Sequence, residues 1–387
     1  MRILQAVSFF SPKRGAGVIA TVYDLSRALT LRGNDVTIFT SDFEVDQNYI
    51  DSLSDVKVYT FHNYLKLANR PFLASGAIRK VRAELMDFDV IHTHECRSFL
   101  NLVLYYYARK YGIPYIVDAH GATTRNTSNS KLKWLLDIIY GRRILKDATR
   151  VIAETELAIS EYEKAGVNKD KIVTIYPPFP VDNYSSIPPQ GRFREKFNIK
   201  KKHILTFMGR ISRIKGVDFL VQAFHELSQQ RADVILVIIG TDDGYKDLLE
   251  EMIERLNLSE IVLFTGYLAG DDKMSALVDS TIMIQPSTYE QGLPKPCIEA
   301  ILCDTPIIIS KDTGAAVIAK RMNAGYLIEF GNKPELVNTV QHVLDNLGEA
   351  NDNVQKAKQY IKEHLSMECG IEKYERLYAD CVEVNNH

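Results

Sequence analysis

Cysteine is scarce: the 387 residues hold five, and no two of them form a Cys-x-x-Cys pair. Cys96, Cys297, Cys303, Cys369 and Cys381 are scattered, which argues against a zinc site or a disulfide framework and points to a reducing, cytoplasmic compartment. An apolar run of the about 18 residues that would mark a membrane span is missing. The N-terminus enters a strand pattern without a basic and then apolar leader, so a secreted or membrane-spanning chain is not expected. Neither charge sign is in excess: 47 Lys and Arg stand against 49 Asp and Glu, a net charge of −2, and a general affinity for nucleic acid is not expected. No internal repeat or low-complexity segment is visible. The dinucleotide fingerprint G-x-G-x-x-G is missing too, because Gly15-Ala16-Gly17 falls short of it, and a dinucleotide cofactor is disfavoured.

What is present is an apolar α/β pattern. A hydrophobic content of 46% suffices for substantial cores, and the length allows two or three domains. Residues 2–7 form a short apolar run and residues 35–40 another. Between them, in 18–31, Val22, Leu25, Ala28 and Leu29 recur on one helical face, which makes a βαβ unit. Further strands are expected at 56–59, 89–94, 114–121, 149–154 and 171–176. Polar residues gather at their carboxyl ends, where open α/β sheets bind ligands. His92 and His94 lie two apart on a strand, share one face and read as structural. Residues 177–190 carry five prolines and no periodic pattern, as an interdomain linker does.

A second α/β unit starts with a strand at 204–208, a turn at 209–216, a helix at 217–229 and a strand at 234–239. Arg210 and Lys215 flank that turn and Gly216 opens the helix. Two cations beside a helix N-terminus form a pyrophosphate clamp that needs no metal. Near the end of this unit, Ile282, Met283 and Ile284 read as a buried strand, followed by a Gly/Pro turn and a helix opening near Gly292. Its free N–H groups suit a phosphate or several hydroxyls. Residues 131–146 combine Trp134 and apolar residues with Lys131, Lys133, Arg142, Arg143 and Lys146. This is either a helix lying on an anionic membrane surface or an ordinary packed helix with a solvated basic face.

The stretch from Glu290 to Glu299 resembles the E-x7-E signature of retaining nucleotide-sugar glycosyltransferases of the GT-B class, family 4 (glycosyl transferases group 1). Gly209-Arg210-x4-Lys215-Gly216 resembles the donor-phosphate turn of that family, and the order of the other turns follows it along nearly the whole chain. The resemblance implies two Rossmann-like parallel-sheet α/β domains facing across a cleft, with a C-terminal helix crossing back to the first domain. The divisions it implies are an acceptor-binding domain at 1–178, a linker at 179–195, a nucleotide-sugar-binding domain at 196–360, and a returning helix at 361–387.

By the same resemblance Arg210, Lys215, Glu290 and His120 are catalytic. Gly17, Gly209, Arg210, Lys215, Gly240, Tyr267, Leu268, Gln291, Gly292, Leu293, Pro294 and Glu299 bind the donor. Glu299 would hold the ribose hydroxyls, Tyr267 and Leu268 the base, and His120 would lie beside the donor sugar. The residue eight before Glu299 is Gln291, with Glu290 one place too early, so either Glu290 or Gln291 fills the first position. Ala16 stands in for the first glycine of the pair ending at Gly17, Pro177-Pro178 replaces an Asn-Gly turn, and the acid expected after Gly314 is missing.

No metal and no resident cofactor are expected. The only D-x-D, Asp87-Phe88-Asp89, sits at a strand's amino end, away from the expected site. The donor is expected to be a UDP-, GDP- or ADP-sugar and the acceptor a lipid-linked or cell-surface glycan precursor, with membrane contact through 131–146. A sugar-nucleotide epimerase of the same shape and a non-catalytic nucleotide-sugar-binding subunit stand as alternatives.

Overall fold

The computed structural model describes residues 1–12, 16–67, 70–74, 76–121, 136–289 and 294–385. The chain divides into two compact units. One is made of Met1–Phe179 and Leu365–His387, the other of Pro180–His364.

The first unit contains β1 (Arg2–Ala6), β2 (Asp35–Ser41), β3 (Lys57–Phe61), the hairpin strands β4 (Asn63–Leu67) and β5 (Arg70–Ala74), then β6 (Val90–Thr93), β7 (Tyr115–Asp118), β8 (Arg150–Ala153) and β9 (Ile172–Thr174). Seven of them form one parallel sheet in the order β3-β2-β1-β6-β7-β8-β9, while β4 and β5 pair antiparallel by themselves. Adjacent residues of one strand serve opposite faces. Leu4, Ile91, Val117 and Val151 join one core, and Ile3, Val90, Ile116 and Ile152 join the other. Burial on both faces is why these strands read as mostly apolar runs rather than alternating ones.

The second of those cores also receives Ile371, Tyr374, Leu377 and Tyr378 from the C-terminal helix Met367–Asn385. Arg32 and Asn34 hydrogen-bond Glu375 on the same helix. The end of the chain thus returns to the first unit, as the fold class requires.

The second unit holds β10 (His203–Met208), β11 (Val234–Ile239), β12 (Val262–Gly266), β13 (Ile282–Gln285), β14 (Ile307–Ser310) and β15 (Tyr326–Ile328). They form a parallel six-stranded sheet in the order β12-β11-β10-β13-β14-β15. Strand order reverses between β10 and β13 here, and between β1 and β6 in the first sheet. The carboxyl ends beside such a reversal are where ligands bind in open α/β sheets.

Within the stretch 179–195 the chain forms a 3-10 turn, Val181–Tyr184, and starts a short helix, Arg192–Lys196, with Phe193 buried. The buried Asp279 carboxylate accepts from the N–H groups of Gly191, Phe193 and Arg194 at 2.5, 2.9 and 3.0 Å. Asp279→Ala would strand these donors and is expected to cost about 2–4 kcal/mol of stability. Urea unfolding checks this, and a loss below about 1 kcal/mol would show that the carboxylate does not hold this segment.

Candidate functional site

In the second unit the chain leaves β10 through Gly209, whose N–H donates to the Ile239 carbonyl at 2.9 Å. Arg210 follows, its Nη1 donating to Asp243 Oδ2 at 2.6 Å, with both side chains half exposed. A 3-10 turn, Arg213–Lys215, is closed by the Lys215 N–H on Ser212 O at 3.0 Å. Gly216, at φ +66°, then opens the helix Val217–Ser228, and no side chain caps that helix start. A Cβ at Gly216 would lie 2.1 Å from the Pro286 carbonyl oxygen, so this turn is pressed against the tip of β13. Gly240, at φ +148°, ends β11, and a Cβ there would lie 1.8 Å from Gly209 O. Close backbone packing therefore brings Gly209, Arg210, Lys215 and Gly240 together beside the sheet's reversal point.

Tyr267 and Leu268 follow the edge strand β12, with Tyr267 46% exposed. Beyond β13 the helix is Lys295–Leu302, with Pro294 as its cap residue at φ −66°, ψ 113°. It thus opens at Lys295 and not near Gly292. Pro294 and Pro296 both lack an N–H, which places them naturally at the cap and in the first turn. Glu290, Gln291, Gly292 and Leu293 lie outside the described residues. Glu299 is buried on this helix and accepts from Lys273 Nζ at 2.8 Å. Sequence reasoning missed Lys273, although it shares a helix face with the buried Ala276 and Leu277.

In the first unit Gly17 sits in the first turn of the helix Ala16–Leu31, and its carbonyl accepts from Thr21 Oγ1 at 3.0 Å. A Cβ at Gly17 would meet nothing within 4 Å. Beyond β1, Ser8 Oγ donates to Glu95. His120 follows β7 at φ +44°, and its N–H donates to Asp118 Oδ1 at 3.1 Å. His120 Nδ1 is 2.6 Å from Glu154 Oε1, and Nε2 is 3.0 Å from His94 Nδ1. His94 Nε2 lies 2.8 Å from Gln5 Oε1, while His92 Nδ1 lies 2.8 Å from the Tyr378 hydroxyl. His92 and His94 are fully buried, which agrees with their structural reading. The residues missed here are Asp118 and Glu154. The signal for Glu154 was a lone carboxylate closing the apolar run Val151-Ile152-Ala153.

Burial alone would lower the His120 pKa, but the Asp118 and Glu154 carboxylates outweigh it and raise it to about 9. Burial pushes Asp118 up to about 7. Burial also pushes His94 well below its ordinary value, helped by His92 and His120, so His94 is neutral. Asp118, His120 and Glu154 offer ligand atoms within 4.8 Å of one another. Both ring nitrogens of His120 already have protein partners, however, and the ring is only 6% exposed. The arrangement is a hydrogen-bonded acid–base cluster.

Of the basic segment 131–146, residues 131–135 lie outside the described ones. The rest is a single wide turn of π-helix, Asp137–Gly141, leading into the helix Arg142–Asp147. Asp137 pairs with Arg97 at 2.7 Å, and Tyr140, Ile144 and Leu145 are buried, while Ile139, Arg142 and Arg143 are exposed. Among the described residues no helix is long and apolar enough to cross a membrane. At the amino end of β6, the edge opposite His120, Asp89 accepts from the Arg2 N–H at 2.7 Å, and Asp87 lies 3.8 Å from the Arg2 guanidinium.

Paired parallel α/β units with a returning C-terminal helix define the GT-B class of glycosyltransferases. Anabaena HepE, solved in complex with UDP-glucose, superposes with a TM-score of 0.82 at 18% identity, covering 98% of this chain and 100% of HepE. Residues 15–183 match the family model described as Glycosyltransferase Family 4, and residues 189–361 match Glycosyl transferases group 1. The chain belongs to the group 1 glycosyltransferases. An uncharacterized glycosyltransferase of Methanocaldococcus jannaschii is 24% identical over 90% of each chain. The alpha-monoglucosyldiacylglycerol synthase of Acholeplasma laidlawii is 25% identical over 96% of this chain and 95% of its own.

Proposed function

We propose that this glycosyltransferase moves a hexose from a nucleoside diphosphate sugar to a glycan or lipid-linked acceptor, with retention at the anomeric carbon and without a metal ion. The observation that carries this reading is the turn joining β10 to the helix Val217–Ser228. It sets Arg210 and Lys215 beside an uncapped helix start at the sheet's reversal point. As the glycosidic bond lengthens, the leaving diphosphate gathers negative charge and the sugar becomes oxocarbenium-like. Two cations and a helix N-terminus answer the first of these charges, which is the task a divalent ion performs elsewhere.

In this reading Glu299, steadied by Lys273, holds the ribose hydroxyls, and Tyr267 and Leu268 hold the base. Gly209 lets the backbone approach the donor, and Gly240 lets it pack against Gly209. Glu290 or Gln291 orients the sugar, and Gly292, Leu293 and Pro294 bind the donor. A uridine donor is supported by the HepE complex, and a lipid-linked acceptor by the diacylglycerol named for the Acholeplasma relative together with the exposed Ile139, Arg142 and Arg143.

Thermal-shift measurements in EDTA against UDP, GDP, ADP and their hexoses test the donor. One nucleotide series should raise the unfolding midpoint; at one hundred times Kd the gain is about 2.7 kcal/mol by mass action. No response to any of the three at millimolar concentration would refute the reading. With the donor in hand, NMR of the product's anomeric proton decides retention.

A further inference from the structure

We propose that Glu154 and His94 are positioning residues that hold the His120 ring as an imidazolium donating from both nitrogens, so that His120 serves the transfer as a fixed cation and not as a proton acceptor. Three hydrogen bonds fix the protons on the ring. A carboxylate oxygen only accepts, so the 2.6 Å contact with Glu154 requires a proton on His120 Nδ1. His94 Nε2 faces the Gln5 carbonyl oxygen at 2.8 Å and therefore donates to it. A neutral His94 then has only a lone pair on Nδ1, and the 3.0 Å contact requires a second proton, on His120 Nε2.

The charges around the ring agree. Asp118 on β7, Glu154 at the end of β8 and Glu95 beyond β6 all raise its pKa, and together they carry it to about 9 against burial. His92 is held near 3 by burial and adds no charge. Tyr162 from the helix Glu156–Lys164 and Tyr374 and Tyr378 from the C-terminal helix stay neutral, because burial pushes their hydroxyls well above the ordinary range. With both nitrogens spoken for, the ring has no lone pair to take a proton from an acceptor hydroxyl.

The activity arm of the test rests on the glycosyl-transfer reading; the spectroscopic arm does not. In the full-length protein labelled with 15N-histidine, His120, identified by the loss of its signals in His120→Asn, should show two protonated nitrogens from pH 6 to 8. Glu154→Gln should move its deprotonation at least one pH unit lower and carry the alkaline limb of the kcat profile down with it. The donor KM should stay within about threefold, and Glu154→Asp should restore the profile. A neutral His120 at pH 7 in the wild-type protein would overturn the proposal, since it means the Gln5 amide is turned and the chain of donors reversed. An unmoved titration in Glu154→Gln would overturn it as well. If Glu154→Gln does not fold, the wild-type titration decides. A protonated His120 in a protein that transfers no sugar would instead sink the functional reading and leave the lock standing.

Discussion

Lys215→Ala is expected to lower kcat by about 10²–10³-fold while the unfolding midpoint stays near that of the wild type. The loss falls on kcat because the negative charge on the leaving diphosphate is largest in the transition state, where a positioned cation counts most. In a water-poor site, removal of such a donor costs about 3–4 kcal/mol of barrier. Lys215 is half-buried at the end of a 3-10 turn whose shape is set by the backbone hydrogen bond to Ser212 O, so the turn should survive truncation of the side chain. Lys215→Arg should recover only part of the activity, because a planar fork does not place its charge where an ammonium does. Steady-state kinetics with the identified donor settle the matter. A kcat within threefold of wild type would show that no clamp operates at this turn.

Gly240→Ala should be the most damaging single-methyl addition in the second unit. The added Cβ would stand 1.8 Å from Gly209 O, a backbone atom that cannot rotate aside, and φ +148° is a conformation that L residues rarely adopt. The strain should destabilise this unit by at least about 3 kcal/mol. That corresponds to roughly 6–12 °C in midpoint for a unit of this size. Gly244→Ala is the control, since Gly244 also has a positive φ, +79°, yet a Cβ there meets nothing within 4 Å. It should cost only ~1 kcal/mol. Equal losses in the two variants would show that conformation, and not the approach to Gly209, is what makes glycine necessary at 240. Gly209 also leads into Arg210, so whatever Gly240→Ala retains of the fold should bind nucleoside diphosphate more weakly.

The parallel strands were legible wherever burial on both faces left near-continuous apolar runs, as in Ile204–Met208, interrupted only by Thr206, and in Val234–Ile239 and Ile307–Ile309. The β4–β5 hairpin was not, because residues 63–74 contain Pro71 and no Asn-Gly or Asp-Gly turn to announce a reversal. The donor turn could be read because Gly209, Arg210, Lys215 and Gly216 fall within eight consecutive residues and each has its own local reason. His120 could be picked out as a strand-end residue, but its company could not. Glu154 is 34 residues away and His94 is 26 away, each just beyond the end of a different strand. The Glu299–Lys273 pair stayed hidden for the same reason, since its members belong to separate helices.

The amino-acid order alone determined that this is a two-unit parallel α/β protein with a cationic, glycine-bounded turn opening a helix in its second half. Those features follow from periodicity and from backbone chemistry acting over a few neighbouring residues. Only the tertiary structure decided that His120 has no unoccupied ring nitrogen, that Glu299 pairs with a lysine, and that Gly240 lies against Gly209. Sheet order sets which strand ends become neighbours, and it brings together residues whose separation along the chain carries no trace of that contact.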